Sequence, residues 1–171
     1  MSRTYDDLAG VVDLFGALTH AELESALDEL AYKQGSETDG EALAAAVDAA
    51  IEEYYLVEYV AGADDRTVET SDGDQRSDDE TFVTVGPAAF PSLPQNAEDL
   101  PHILDVPRRE VDRRALGEQV RDRLAAEVDA AIDDGDEERL AQLYDVTYDL
   151  DAWAPVETAA IRERFDAVLQ D

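Results

Sequence analysis

The sequence predicts a mainly helical α+β fold, and three observations predict it. Apolar residues recur at three- and four-residue spacing through both ends of the chain, the signature of amphipathic helices. Two aromatic and β-branched segments near the middle, Tyr54 to Val60 and Thr81 to Val85, read as strands. Between them and the C-terminal helices, Pro87, Pro91, Pro94 and Pro101 fall close together and forbid a long helix there.

Residues 5–18 are expected to form the first helix, through Leu8, Val11, Val12, Phe15 and Leu18. Thr19 then offers an N-cap with Glu22 three residues later, a capping box ahead of Leu23, Ala26, Leu27, Leu30 and Ala31. Gly35 ends this second helix. Asp39 is placed to cap a third, whose stripe is Leu43, Ala46, Val47, Ala50 and Ile51. The two strands follow, separated by residues 61–80, which are almost wholly polar and acidic and are expected to be a disordered loop. Asp72-Gly73-Asp74 and Asp78-Asp79-Glu80 in that loop have the acids of a calcium loop. The position that needs glycine is Ser77, however, and flanking helices are missing, so a solvated loop is the better reading. Residues 87–111 read as an extended, proline-rich connector with at most one short turn of helix. A C-terminal three-helix region, residues 112–171, begins with Leu116, Val120, Leu124, Val128, Ala131 and Ile132 and stops at Asp134-Gly135. Asp136 caps the next helix, with Leu140, Leu143, Tyr144 and Val146, and Ile161, Phe165, Val168 and Leu169 mark the last.

Composition limits what such a chain does. Its 171 residues, 44% apolar, suffice for a real core, so disorder of the whole chain is excluded. The formal charge is −30, from 43 acids against 13 Lys and Arg, and it is spread along the sequence: −12 over residues 1–60, −6 over 61–80, −3 over 81–107 and −9 over 108–171. At low salt that charge repels itself, whereas at about 1 M salt the Debye length is about 3 Å and the repulsion nearly vanishes. The distribution points to a protein of a salt-rich, halophilic cytoplasm rather than to a concentrated acidic decoy. Cysteine is absent, which removes disulfides, thiolate nucleophiles and cysteine-ligated metals. The N-terminus lacks the apolar core of a signal peptide and no apolar run approaches a membrane span, so cytoplasmic residence without membrane contact is expected.

Three helices followed by two strands, with a short turn between the second and third helices, resemble a winged helix-turn-helix. Residues 1–86 would be that winged-helix-like domain and the hairpin its wing. The resemblance implies DNA binding through the third helix. Asp39, Glu41, Asp48, Glu52 and Glu53 oppose it, because no Lys or Arg stands with them to meet phosphate. The expectation is therefore a non-enzymatic protein-interaction or regulatory module, with self-association or a protein partner. A DNA-binding transcriptional regulator and a small enzyme around His102 are the alternatives.

The chain as a whole also resembles an uncharacterised family of conserved hypothetical proteins from halophilic archaea. The segments that carry this are Leu8 to Thr19, Glu53 to Val57, Gly86 to Pro91, Asp99 to Val106, Tyr148-Asp149-Leu150 and Trp153. The resemblance implies no activity.

Few residues stand out chemically. His20 and His102 are not in a metal-ligand spacing; His20 is expected to be solvated, and His102, in the connector, is expected to pack or hydrogen-bond. No nucleophile elbow, phosphate-binding glycine loop or HExxH is present, and no cofactor or metal is expected. Arg108, Arg109, Arg113, Arg114, Arg121 and Arg123 put six of 13 basic residues within a short stretch. Arg109 with Arg113, or Arg114 with Arg121, would share a helix face as an anion or partner clamp, since the guanidinium fork suits phosphate and carboxylate. Local pairing with Glu110, Asp112, Glu118, Asp122 and Glu127 is the competing, and favoured, expectation. Trp153, Tyr144 and Tyr148 are expected in the core, or, if exposed, at an interface.

Overall fold

In the computed structural model, which describes residues 2–35, 39–60, 68–70, 81–94, 97–104, 106 and 108–169, the first helix stops three residues short of its expected end at Leu18. Helix α1 is Ser2–Phe15; Gly16 then takes φ +83° and Ala17–Thr19 forms strand β1. Apolar spacing could not separate the two outcomes, because Ala17 and Leu18 are buried in either. The left-handed glycine decides it, since that conformation ends a helix at little cost only without a Cβ.

The capping box forms as the sequence predicts. The Glu22 amide donates to the Thr19 hydroxyl at 3.1 Å, and the Thr19 amide donates to the Glu22 carboxylate at 2.9 Å, opening helix α2, His20–Lys33. Asp39 accepts from the amides of Glu41 and Ala42 at the start of α3, Gly40–Glu52. Strand β2, Leu56–Val60, starts two residues later than expected, because Tyr54 is buried with φ +66°. Val68–Thr70 is strand β3, a correction to the disordered loop expected over 61–80; residues 61–67 and 71–80, including the calcium-like acids, lie outside the described residues. Strand β4, Thr81–Val85, pairs antiparallel with both β1 and β2, giving the order β1-β4-β2.

Residues 87–111 hold more structure than a connector. A 3₁₀ turn at Ala97–Asp99 leads into the short helix α4, Leu100–Ile103, and Arg109–Val111 forms β5, paired antiparallel with β3. Asp6 fixes the proline-flanked part, accepting from the Phe90 amide through its carboxylate and from the Ser92 amide through its carbonyl, both at 3.0 Å.

The chain divides into two units, residues 1–111 and residues 112–171. In the first, Leu8, Val12 and Phe15 of α1, Leu23 and Leu27 of α2, Val47 of α3, Leu56, Val83 and Leu100 form one apolar cluster. Each such buried side chain contributes about 1.5–3 kcal/mol relative to exposure. In the second unit, Asp112 caps α5, Arg113–Asp134, and Gly135 at φ +66° ends it; α6, Glu137–Trp153, and α7, Ala159–Leu169, follow. Leu116, Val120, Leu124, Leu143, Leu150, Ile161 and Phe165 are buried there. The fold is thus mainly helical with a small antiparallel sheet. Among the described residues no helix is long and apolar enough to cross a membrane.

Candidate functional site

Strand β5 carries Arg109 into the first unit, where its side chain is 8% exposed. Its two terminal nitrogens grip the Glu22 carboxylate at 2.6 and 3.1 Å, and Nη1 also donates to the Ala17 carbonyl at 3.0 Å. The guanidinium lies 4.8 Å from the centre of the Phe82 ring. Glu22 therefore serves two partners, capping α2 and holding Arg109. Burial pushes the Glu22 carboxyl up, but Arg109 and the Thr19 hydrogen bonds outweigh it, leaving the group below its ordinary value. The expected clamp on a helix face is corrected at this residue: Arg109 is on a strand, faces inward, and is engaged by the protein itself.

Of the other arginines of the segment, Arg114 and Arg123 form local pairs and Arg113 stacks on an aromatic ring. Arg114 approaches Glu118 at 3.9 Å and Arg123 approaches Glu127 at 3.3 Å, both one helical turn apart on α5. Arg139 of α6 joins Glu127 at 3.5 Å. Of these only Arg114–Glu118 is exposed, and a pair of that kind contributes about 0.3–0.5 kcal/mol, so the pairs matter here for where the cations point. Arg113 stacks 4.3 Å from the Trp153 ring centre, Arg121 is half-buried and Arg108 is exposed.

His102 is exposed on α4, against the packing role expected for it. His20 is not merely solvated, since its Nε2 lies 3.1 Å from Glu58 Oε1 on β2. A shallow cleft between α2 and α3, about 110 Å³, is lined by His20, Leu23, Glu24, Leu27, Leu43 and Val47. His102 lines neither this cleft nor the larger groove between α6 and α7. No group of three or more His, Asp or Glu among the described residues is arranged to hold a metal ion.

That larger groove is the feature sequence reading missed. It measures about 630 Å³ and is walled by Leu140, Ala141 and Tyr144 of α6 and by Phe165 and Val168 of α7. Tyr144 and Tyr148 share a 3.0 Å hydroxyl hydrogen bond, which together with the neighbouring phenol raises Tyr144 above its usual pKa. Tyr148, expected in the core or at an interface, is half exposed and stacks under Arg162 at 4.6 Å. Arg162 is itself held by Asp151 at 2.9 Å and Thr158 at 2.6 Å. Trp153 is half-buried, with its indole nitrogen lacking a hydrogen-bond partner among the described residues. The signal for the groove was the four-residue spacing of Leu140, Tyr144 and Tyr148, which had merged with the Leu143 and Val146 stripe.

Compared with known proteins, residues 6–170 match one family model, described as a family of unknown function (DUF7109). No curated protein and no solved structure matches the chain.

Proposed function

We propose that this chain, which belongs to the family of unknown function DUF7109, is a non-enzymatic protein-interaction or regulatory module of a salt-rich, halophilic archaeal cytoplasm. The observation that carries this reading is the inward engagement of Arg109, with Arg113, Arg114 and Arg123 of the same segment stacked or paired within the second unit. A protein that reads nucleic acid or anionic substrates needs such cations facing outward and converging.

The order α1-β1-α2-α3-β2-β3-β4, with β4 between β1 and β2 in the sheet and β3 paired instead with β5, supports a winged-helix-like first unit, since a strand between the first two helices pairs with the wing in that topology. In it α3 would be the reading helix. Its exposed charges are Glu41, Asp48 and Glu52, which repel a phosphate backbone at any salt concentration. Winged modules without a basic reader commonly serve protein contacts, and fold alone does not choose the partner. The enzyme reading around His102 is not favoured, because His102 lines neither the α2–α3 cleft nor the α6–α7 groove and Arg109 is engaged by Glu22.

Capture tests the proposal. The full chain, immobilised in about 2 M potassium chloride so that surface charge is screened, is expected to retain a specific protein or to self-associate in sedimentation velocity. Recovery of no partner together with a strictly monomeric chain would overturn the reading.

A further inference from the structure

We propose that the groove between α6 and α7 is the seat of a basic amphipathic helix from a partner protein. This rests on reading the chain as an interaction module and names the surface and the chemistry of what it binds. Helix α6 carries two apolar stripes, one buried within its unit and one only partly covered there, with Tyr144 edge-on to Phe165 at 5.3 Å and Tyr148 against Arg162. Leu143, Val146, Thr147 and Leu150 are buried. Leu140, Tyr144 and Tyr148, each four residues from the next and therefore on one face, form the second. Leu140 and Tyr144 are half exposed, and Tyr148 is 51% exposed. On the opposite wall Phe165 forms the floor and Val168, 38% exposed, the lip.

Shape and charge then select the occupant. Three packed helices leave between two of them the position a fourth helix takes in a bundle, and the volume of about 630 Å³ admits several large apolar side chains from one helix face. Glu137 and Asp145 line the groove, and Asp166 is near enough for its charge to act on Tyr144. Among the described residues no Lys or Arg lines it. Arg162, beside Tyr148, is occupied by Asp151 and Thr158. A helix with an apolar stripe flanked by Lys or Arg matches both features. A second copy of this chain would instead bring Glu137 and Asp145 against their own counterparts.

The test uses the full chain and three synthetic peptides of about 18 residues, long enough for five helical turns. One has Leu at helical spacing with Lys elsewhere, one has the same Leu pattern with Glu for Lys, and one has the first composition scrambled to destroy the stripe. Binding is read by fluorescence anisotropy of labelled peptide at about 0.2 M potassium chloride, where the groove carboxylates still act on the peptide, and again at about 1 M, where the charge-dependent differences shrink and those due to the apolar stripe persist. At the lower salt the Leu–Lys peptide is expected to bind, with the Glu and scrambled versions at least about tenfold weaker. Leu140→Gln, Val168→Gln and the doubly neutralised Glu137→Gln, Asp145→Asn chain each weaken it by about tenfold. These positions are at least partly exposed, so folding is preserved, and Leu93→Gln, at an exposed apolar position of the first unit, leaves affinity unchanged.

Absence of binding, or equal binding of the scrambled peptide, overturns the proposal. Binding that the groove variants leave untouched overturns it too, yet leaves the interaction reading standing. Self-association that Leu140→Gln abolishes would identify a second copy as the occupant and would equally overturn it. A chain that binds the Leu–Lys peptide at the groove but captures no partner and stays monomeric would count against the interaction reading instead.

Discussion

Replacing Arg109 with methionine lowers the unfolding free energy by about 3 kcal/mol, as measured by urea denaturation in molar potassium chloride. Methionine keeps much of the apolar stem that lies against Phe82 but removes both bonds to Glu22 and the bond to the Ala17 carbonyl. What remains is a carboxylate 21% exposed with its cation gone, and an uncompensated charge of this kind is the costly outcome of breaking a buried pair. Glu22→Gln is expected to cost a comparable amount, because the amide still accepts from Thr19 but leaves the guanidinium, 8% exposed, without its counter-charge. The pair also makes stability depend on pH. The folded carboxyl of Glu22 lies below its unfolded value, so its contribution is complete above the ordinary carboxylate range and is lost as pH falls through the folded value. The difference between the native chain and Glu22→Gln should therefore shrink in that acidic window and stay constant above it. An unchanged difference across the window would mean that Arg109 does not depend on the Glu22 charge.

Gly16→Ala is expected to cost at least as much, about 3 kcal/mol or more. A Cβ at this position would be strained by φ +83° and would collide with the Arg109 backbone carbonyl, which cannot swing aside as a long side chain would. Gly135 supplies the comparison, since it has φ +66° but an added Cβ meets nothing within 4 Å. Gly135→Ala should cost only about 1 kcal/mol, the left-handed penalty alone. Similar losses at the two sites, in urea or thermal denaturation, would show that β5 does not press on Gly16. Because Gly16 and Arg109 touch, their substitutions should not add.

Local chemistry was legible in this sequence and long-range pairing was not. Thr19 with Glu22, Asp39, Asp136 and Gly135 announce helix ends through groups only a few residues apart, and each forms the end expected of it. Strand β1 was hidden because Ala17 and Leu18 continue the helical stripe of α1, with Gly16 the single contrary sign. The partner of Arg109 was sought among acids three or four residues away, where a helix would place them. It is Glu22, 87 residues earlier, which the capping box seemed already to occupy. Pairing of β3 with β5 joins residues about as obscurely, since neither Val68–Thr70 nor Arg109–Val111 has an alternating pattern long enough to be recognised. The groove was obscured by the helix that builds it: two apolar stripes on α6 read as one wide stripe until their burial is known.

The claim that Arg109, Arg113, Arg114 and Arg123 serve the protein's own structure rather than a nucleic acid is tested most directly by anisotropy of a labelled duplex of about 30 base pairs, titrated with the full chain from about 0.1 to 2 M potassium chloride. The account predicts no complex at any salt concentration. A complex whose affinity falls steeply as salt rises, and which disappears when Arg113, Arg114 and Arg121 are neutralised together, would contradict it.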